Sequence, residues 1–96
     1  SQGTCMSEIT LTINHPAGLH LRPARQFFQT AARFASKITI RNLDRNPQDE
    51  ADAKSLFDIM RIGVSQGHTV QVRAEGDDAE EALQALQALV DSNFGE

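Results

Sequence analysis

The stretch Glu8–Ala24, EITLTINHPAGLHLRPA, decides the fold because it contains a strand, a turn and the start of a helix in immediate succession. In residues 8–13 apolar and polar side chains alternate strictly, which is typical of a strand with one buried face. Asn14, Pro16 and Gly18 then indicate a turn. Pro23 follows as a residue favoured in the first helical turn, where its missing N–H costs nothing.

The helix that starts here is predicted to be amphipathic. Apolar residues recur at helical spacing and predict an inward stripe of Ala24, Phe27, Phe28, Ala31 and Ala35. The opposite side carries Arg22, Arg25 and Arg33 and no acid. The sequence therefore predicts a helix with a basic outer face.

The rest of the chain repeats strands and helices of similar length. The predicted order continues with strand 37–41, a hairpin loop and return strand 49–53, helix 55–62, strand 69–74 and a last, alanine-rich helix. Ser55 is predicted to cap the second helix, with Asp58 as its partner in a capping box, and Gly63 to end it. Asp77 is predicted to cap the last helix and Gly95 to close it.

The strand pattern indicates the fold class. Each clear strand is apolar on one face only, as in a sheet that helices cover on one side, whereas a doubly wound parallel sheet needs strands that are apolar on both faces. The order βαββαβα therefore predicts an α+β open-faced β-sandwich.

Composition narrows the class of protein. The chain has 96 residues, enough for one domain, and a single cysteine, Cys5, which cannot form an internal disulfide. A secreted domain of this size would usually carry several cysteines, so we expect a cytoplasmic protein. The longest apolar run is far too short for a membrane span, and we expect no membrane insertion.

Charge is distributed unevenly along the chain. Residues 15–45 hold six basic side chains against one acid, and residues 46–96 hold eleven acids against three basic side chains. A basic first half fits an anionic ligand or an acidic partner, although a solvated charged surface fits equally well. Nucleic acid is not expected, because the acidic second half would repel it.

One histidine stands where phosphate chemistry is favoured. His20 precedes a helix whose first-turn N–H groups and positive dipole end attract phosphate, and Arg22 adds a guanidinium suited to phosphate oxygens. Imidazole is a competent nucleophile and leaving group. The alternatives are an ordinary surface or capping histidine, or a metal site with His15, for which no third ligand lies at a suitable spacing.

The segment Asn14–Ala24 resembles the signature Asn-x-Pro-x-Gly-Leu-His-x-Arg-Pro-Ala of HPr, the histidine-containing phosphocarrier of the bacterial phosphoenolpyruvate-dependent sugar phosphotransferase system. The similarity continues through Lys54–Phe57, Gln66-Gly67 and Ala74–Gly76 into the last helix. It implies an open-faced β-sandwich with a four-stranded antiparallel sheet covered on one face by three helices. It also implies one phosphocarrier domain over residues 7–94, with residues 1–6 as a leader.

The resemblance assigns roles by position. His20 would be phosphorylated on Nδ1 with help from Arg22, and His20, Leu21 and Arg22 would bind the phosphoryl group. Ser55 would match a serine that a regulatory kinase modifies in some bacteria. The surface that meets partner proteins would comprise Arg22, Arg25, Leu56, Phe57, Met60 and Arg61. Helical spacing agrees, since Ile59 and Ile62 can point inward and leave Phe57 and Met60 exposed.

The implied function is phosphoryl relay. Phosphorylated enzyme I would charge His20, and a IIA domain would receive the group, so the chain is a stoichiometric carrier without turnover of its own. We expect a monomer without cofactor or metal, and a serine kinase as a further partner. The alternatives are an HPr-like regulatory module that acts by protein binding, which would be expected to lack the histidine, and a small-molecule-binding module, which would need a pocket.

Three features depart from the family pattern. Leu21 replaces a small or polar residue beside the histidine, and Asp58 replaces a lysine or glycine near the interface. The segment 42–53 is longer than in free-standing members and resembles HPr-like domains of multidomain phosphotransferase proteins, as do residues 94–96. Both a free protein and a domain of a longer one remain open.

Overall fold

A computed structural model describes residues 6–95 and contains four strands and three helices. The strands are β1 (Met6–Thr12), β2 (Lys37–Asn42), β3 (Glu50–Asp52) and β4 (Thr69–Glu75), and the helices are α1 (Leu21–Ala31), α2 (Leu56–Arg61) and α3 (Ala79–Asp91). A short 3-10 turn, Asn93–Gly95, follows α3. The predicted order βαββαβα is confirmed. None of the helices in the described part of the chain is long and apolar enough to cross a membrane.

The sheet is antiparallel throughout, with the strand order β1-β4-β2-β3. Ile40 of β2 and Ile9 of β1 both face Val72 of β4, so the inward residues of neighbouring strands fall into register. The helices cover this apolar face, and the core between the two layers contains Ile13, Phe27, Ile38, Ile59, Val70 and Leu86. The predicted open-faced sandwich is confirmed.

The predicted end of α1 and the predicted cap of α3 were wrong. Helix α1 ends at Ala31, so Ala35, expected on its inward stripe, lies beyond the helix and is exposed. The cause is Asp78, whose carboxylate accepts hydrogen bonds from the N–H groups of Ala35 and Ser36 at 2.8 and 2.9 Å and turns this segment toward α3. Asp78, and not Asp77, is also the residue that precedes α3, and it makes no side-chain cap bond there.

Smaller differences concern the chain ends. Met6, expected in the leader, is the first residue of β1 and lies opposite Glu75. Helix α3 ends at Asp91, before the 3-10 turn that contains Gly95, so the glycine does not close the helix directly. The predicted polar leader, with Cys5, otherwise lies outside the described residues.

Candidate functional site

The turn before α1 is fixed by its own backbone and by a neighbouring loop. The N–H of Gly18 donates to the carbonyl of His15 at 2.8 Å, and the N–H of Leu19 donates to the carbonyl of Val64 at 2.9 Å. Gly18 has φ +61°, and a Cβ there would lie 2.3 Å from the Val64 oxygen. Only glycine fits this position, because the backbone is left-handed and the neighbouring chain is too close for a side chain.

His20 is the N-cap residue of α1. Its backbone is extended, and its carbonyl accepts the first helical hydrogen bond, from the N–H of Ala24 at 2.8 Å. Its side chain is exposed and makes no capping hydrogen bond. The imidazole therefore stands exposed at the helix N-terminus and does not cap the helix.

The first turn of α1 supplies positive potential to this position. Helix geometry directs the N–H groups of Leu21 and Arg22 outward along the axis, and no acidic residue lies in the turn. The side chains of Arg22 and Arg25 are exposed and, three residues apart, lie on the same side of the helix. His20, Leu21, Arg22 and Arg25 thus lie close together in the chain at the N-terminal end of α1.

His15 differs from His20 in its burial and its contacts. It is buried, its Nδ1 accepts the N–H of Ala17 at 3.0 Å, and its ring meets Phe94 edge-on at 5.8 Å between centroids. It shapes the turn from inside. Within residues 6–95 no group of three or more histidine, cysteine, aspartate or glutamate side chains is arranged to hold a metal ion.

Helix α2 packs beside α1 and presents an apolar surface. The side chain of Phe57 is 84% exposed and that of Met60 37% exposed, whereas Ile59 is fully buried and Ile62 nearly so. The orientation predicted from helical spacing is confirmed. Leu56 is half-buried against the core, so we define the apolar patch as Phe57 and Met60, with Leu56 at its edge. Leu21, 59% exposed, adds apolar surface beside His20.

Ser55 caps α2, as predicted, since its hydroxyl accepts the N–H of Asp58 at 3.3 Å. The reciprocal half of the predicted capping box is absent, because the Asp58 carboxylate instead accepts the N–H of Asp52 at 2.9 Å and the Nε–H of Arg61 at 3.0 Å. These two bonds, the first the stronger influence, hold the pKa of Asp58 below its usual value.

Arg61 is less available for a partner than the sequence suggested. Besides Asp58 it pairs with Asp49, whose carboxylate lies 2.7 Å from its Nη1. The group formed by Arg61, Asp49 and Asp58 carries a net negative charge. The i,i+3 spacing of Asp58 and Arg61 could have indicated the first pair. No sequence signal indicated Asp49, which precedes β3 and is 12 residues from Arg61 in the chain.

One buried polar contact, between Asn42 and His68, was not predicted from the sequence. Asn42 is buried at the end of β2, and its side-chain amide contacts Nδ1 of His68 at 3.1 Å. His68 in turn accepts the N–H of Ser65, in the loop whose Val64 carbonyl binds Leu19. An asparagine in a hairpin and a histidine before a strand gave no local indication that they meet.

The sequence is similar to a known protein family and to several of its members. Residues 7–92 match the model of the PTS-HPr family, described as the PTS HPr component phosphorylation site. A multiphosphoryl transfer protein of Haemophilus influenzae is 40% identical over 87 residues, which cover 91% of this chain and 17% of that protein. The phosphocarrier protein HPr of Xylella fastidiosa is 36% identical, with 95% of this chain and 98% of that protein covered.

Solved structures agree. The crystal structure of HPr-C-His from Thermoanaerobacter tengcongensis has a TM-score of 0.87 and 47% identity, over 94% of this chain and 97% of its own. The chain spans about a fifth of the length of the multiphosphoryl transfer proteins and nearly all of the Xylella HPr. With the matching fold and the match across residues 7–92, the chain belongs to the HPr family of phosphotransferase-system phosphocarriers.

Proposed function

We propose that His20 accepts a phosphoryl group from phosphorylated enzyme I and passes it to a IIA domain. The observation that carries this proposal is the exposed imidazole of His20 at the N-terminus of α1, unused by the helix and followed by Arg22. A nucleophile must be reachable by a second protein and must keep its lone pair for the reaction. His15, which is buried, does not meet the first requirement.

The reaction is a substitution at phosphorus. A ring nitrogen of His20, Nδ1 by resemblance to the family, donates its lone pair to the phosphorus atom. The bond between phosphorus and the donor protein breaks, and its electron pair stays with the donor. Transfer to the acceptor repeats the step with His20 as leaving group, so no redox change occurs and the chain returns to its starting state.

Phosphate stabilisation falls to the first turn of α1. The N–H groups of Leu21 and Arg22, at the open end of α1, would donate to the phosphoryl oxygens, and the Arg22 guanidinium would add a permanent positive charge. No carboxylate in this turn opposes the incoming anion. These groups act on the transferring phosphoryl group, where negative charge is concentrated.

We assign partner docking to the apolar patch and to the cations beside His20. Exposed aromatic side chains are common anchors at interfaces, and Phe57 is the most exposed large apolar side chain of residues 6–95. Arg22 and Arg25 favour an acidic partner surface. Arg61 lies at the edge of this surface but adds no net positive charge, because it pairs with both Asp49 and Asp58.

Ser55 is the proposed site of regulation by a serine kinase. A phosphate there would place nearly two negative charges beside the apolar patch, where Asp58 already contributes one. It would repel the same acidic partners that Arg22 and Arg25 attract. In the absence of a kinase, Ser55 serves as the helix cap that its hydrogen bond to Asp58 defines.

We place this relay in the cytoplasm and treat residues 7–94 as one monomeric domain that works without a cofactor. A single cysteine in 96 residues supports a reducing compartment. The long segment between β2 and β3 supports a place within a larger phosphotransferase protein. In either arrangement His20 is a stoichiometric carrier.

The experiment is to incubate the purified chain with enzyme I and labelled phosphoenolpyruvate, then map the label by mass spectrometry at alkaline pH, where phosphohistidine survives. We expect one acid-labile phosphoryl group, on His20. The His20→Gln variant is the control, since it replaces an exposed side chain that makes no cap bond. A label on His15 or His68 would contradict the assignment. Binding to enzyme I without any label would favour the regulatory module.

A further inference from the structure

The loop of residues 63–68, called here the support loop, carries the turn that precedes His20. The N–H of Ile13 donates to the carbonyl of His68 at 2.9 Å, and the N–H of Gly67 returns a bond to the Ile13 carbonyl at 2.7 Å. The Leu19 N–H binds the Val64 carbonyl at 2.9 Å, and the Gln66 side chain donates to the carbonyl of Asn14 at 3.1 Å. Both ends of the turn are therefore attached to the support loop.

Apolar packing alone does not fix the support loop. Its only buried apolar side chain is Val64, while Ser65, Gln66 and Gly67 are exposed. An exposed loop has few buried apolar contacts to stabilise one conformation, so its hydrogen bonds contribute more to selecting it. The conformation of the support loop thus depends on its polar contacts.

His68 supplies the contacts that close the loop on itself. The backbone N–H of His68 donates to the Ser65 carbonyl at 3.0 Å and closes a turn that contains Gly67 at φ +88°. The side-chain Nδ1 of His68 accepts the backbone N–H of Ser65 at 3.1 Å. A backbone N–H can only donate, so Nδ1 must carry the lone pair and the proton must be on Nε2. In this contact His68 therefore acts through the lone pair of Nδ1.

Asn42 connects His68 to the body of the fold. Its amide nitrogen lies 3.1 Å from Nδ1 of His68 and 3.2 Å from the Ile62 carbonyl, and its oxygen accepts the N–H of Asp44 at 3.1 Å. The side chain is almost fully buried, so its orientation is set by these partners. A continuous series of contacts therefore runs from the end of β2 through His68 to the support loop.

We propose that His68 is a positioning residue for phosphoryl transfer at His20. It acts through the acceptor atom Nδ1, which fixes the support loop, and the support loop in turn fixes the backbone at Leu19, one residue before His20. This inference rests on the proposed function of His20. Transfer between two proteins requires the nucleophile to stand in line with the bond that breaks, and small displacements of such a group lower the rate steeply.

Two substitutions of nearly equal shape test the role of the acceptor. His68→Asn places an oxygen close to the position of Nδ1, whereas His68→Leu places a methyl group there. With enzyme I, saturating phosphoenolpyruvate and each variant as the varied substrate, we expect His68→Leu to lower kcat on the order of tenfold with KM unchanged. His68→Asn should restore kcat to within about twofold of the wild type.

A second measurement needs no partner. Amide hydrogen exchange at Leu19 should be faster in His68→Leu than in the wild type and in His68→Asn, under conditions where circular dichroism shows all three folded. If His68→Leu does not fold, His68→Gln replaces it, because its oxygen reaches the Nε2 position and leaves Nδ1 without an equivalent.

The outcomes separate the two proposals. Unchanged kcat and unchanged Leu19 exchange in folded His68→Leu would overturn the positioning role and leave the proposed function intact. Equal losses in the leucine and asparagine variants would also overturn it, since the acceptor would then be irrelevant. A wild-type chain that enzyme I does not phosphorylate would instead overturn the proposed function, and Leu19 exchange would still report whether His68 fixes the loop.

Discussion

Alanine substitutions at Ile59 and Phe57 give opposite results if the orientation of α2 and its role in docking are correct. Ile59 is fully buried, and truncation to alanine removes three carbons, at about 0.8 kcal/mol each in transfer free energy. The cavity that remains adds to this loss, so we expect the free energy of unfolding to fall by roughly 3–4 kcal/mol. Phe57 is 84% exposed, and its truncation should change that free energy by less than about 0.5 kcal/mol.

Partner binding should show the reverse order. Phe57→Ala removes the aromatic anchor of the apolar patch and should weaken binding to enzyme I by about 1–3 kcal/mol. Ile59→Ala, measured well below its unfolding temperature, should bind within about twofold of the wild type, because its side chain does not reach the surface.

Urea unfolding followed by circular dichroism gives the stabilities, and isothermal titration calorimetry with enzyme I gives the affinities. Met60→Ala serves as a second surface variant, with a smaller expected loss because Met60 is less exposed than Phe57. The reasoning fails if Phe57→Ala destabilises the fold more than Ile59→Ala. It fails equally if Phe57→Ala binds enzyme I with wild-type affinity.

Three further predictions concern the cap, the turn and the α1–β2 connection. Ser55→Asp should slow the initial rate of His20 labelling relative to Ser55→Asn, which can cap α2 without adding charge. Both variants should keep the free energy of unfolding within about 0.5 kcal/mol of the wild type, and equal labelling rates would refute the electrostatic argument. Gly18→Ala should destabilise the chain by clearly more than Gly67→Ala, for which about 1 kcal/mol is expected, because only the former meets backbone atoms within 4 Å. Hydrogen bonds from the Ser36 side chain and the Ala35 N–H hold the pKa of Asp78 below its usual value, so its contribution to stability is complete above about pH 4 and disappears as the pH falls through the folded-state pKa. Asp78→Asn should therefore lower the urea midpoint at pH 7 and have a smaller effect at pH 3, and an equal effect at both would contradict this.

Much of the fold follows from local periodicity. The alternation in β1 and β4 and the spacing of Ile59 and Ile62 in α2 are properties of neighbouring residues, and packing did not override them. The position of His20 before α1 was also predictable, since proline and glycine on either side restrict the backbone to a turn followed by a helix.

The features that the sequence did not predict depend on residues far apart in the chain. Nothing between Ala31 and Ser36 is a helix breaker, and α1 ends there because Asp78, more than 40 residues away, binds the N–H groups of Ala35 and Ser36. The departure of Asp58 from the capping box has a similar cause, since the N–H of Asp52 competes for its carboxylate. Local sequence patterns do not show which distant backbone N–H groups compete for a carboxylate.

The buried side-chain amide of Asn42 contacts two separate segments of the chain. Its nitrogen contacts the carbonyls of Ile62 and Gly63, where α2 ends, as well as Nδ1 of His68, which holds the support loop. The end of α2 and the support loop therefore share Asn42 as a partner. Because a side-chain amide has only two N–H donors, a shift of either segment changes the hydrogen-bond geometry that Asn42 can offer the other.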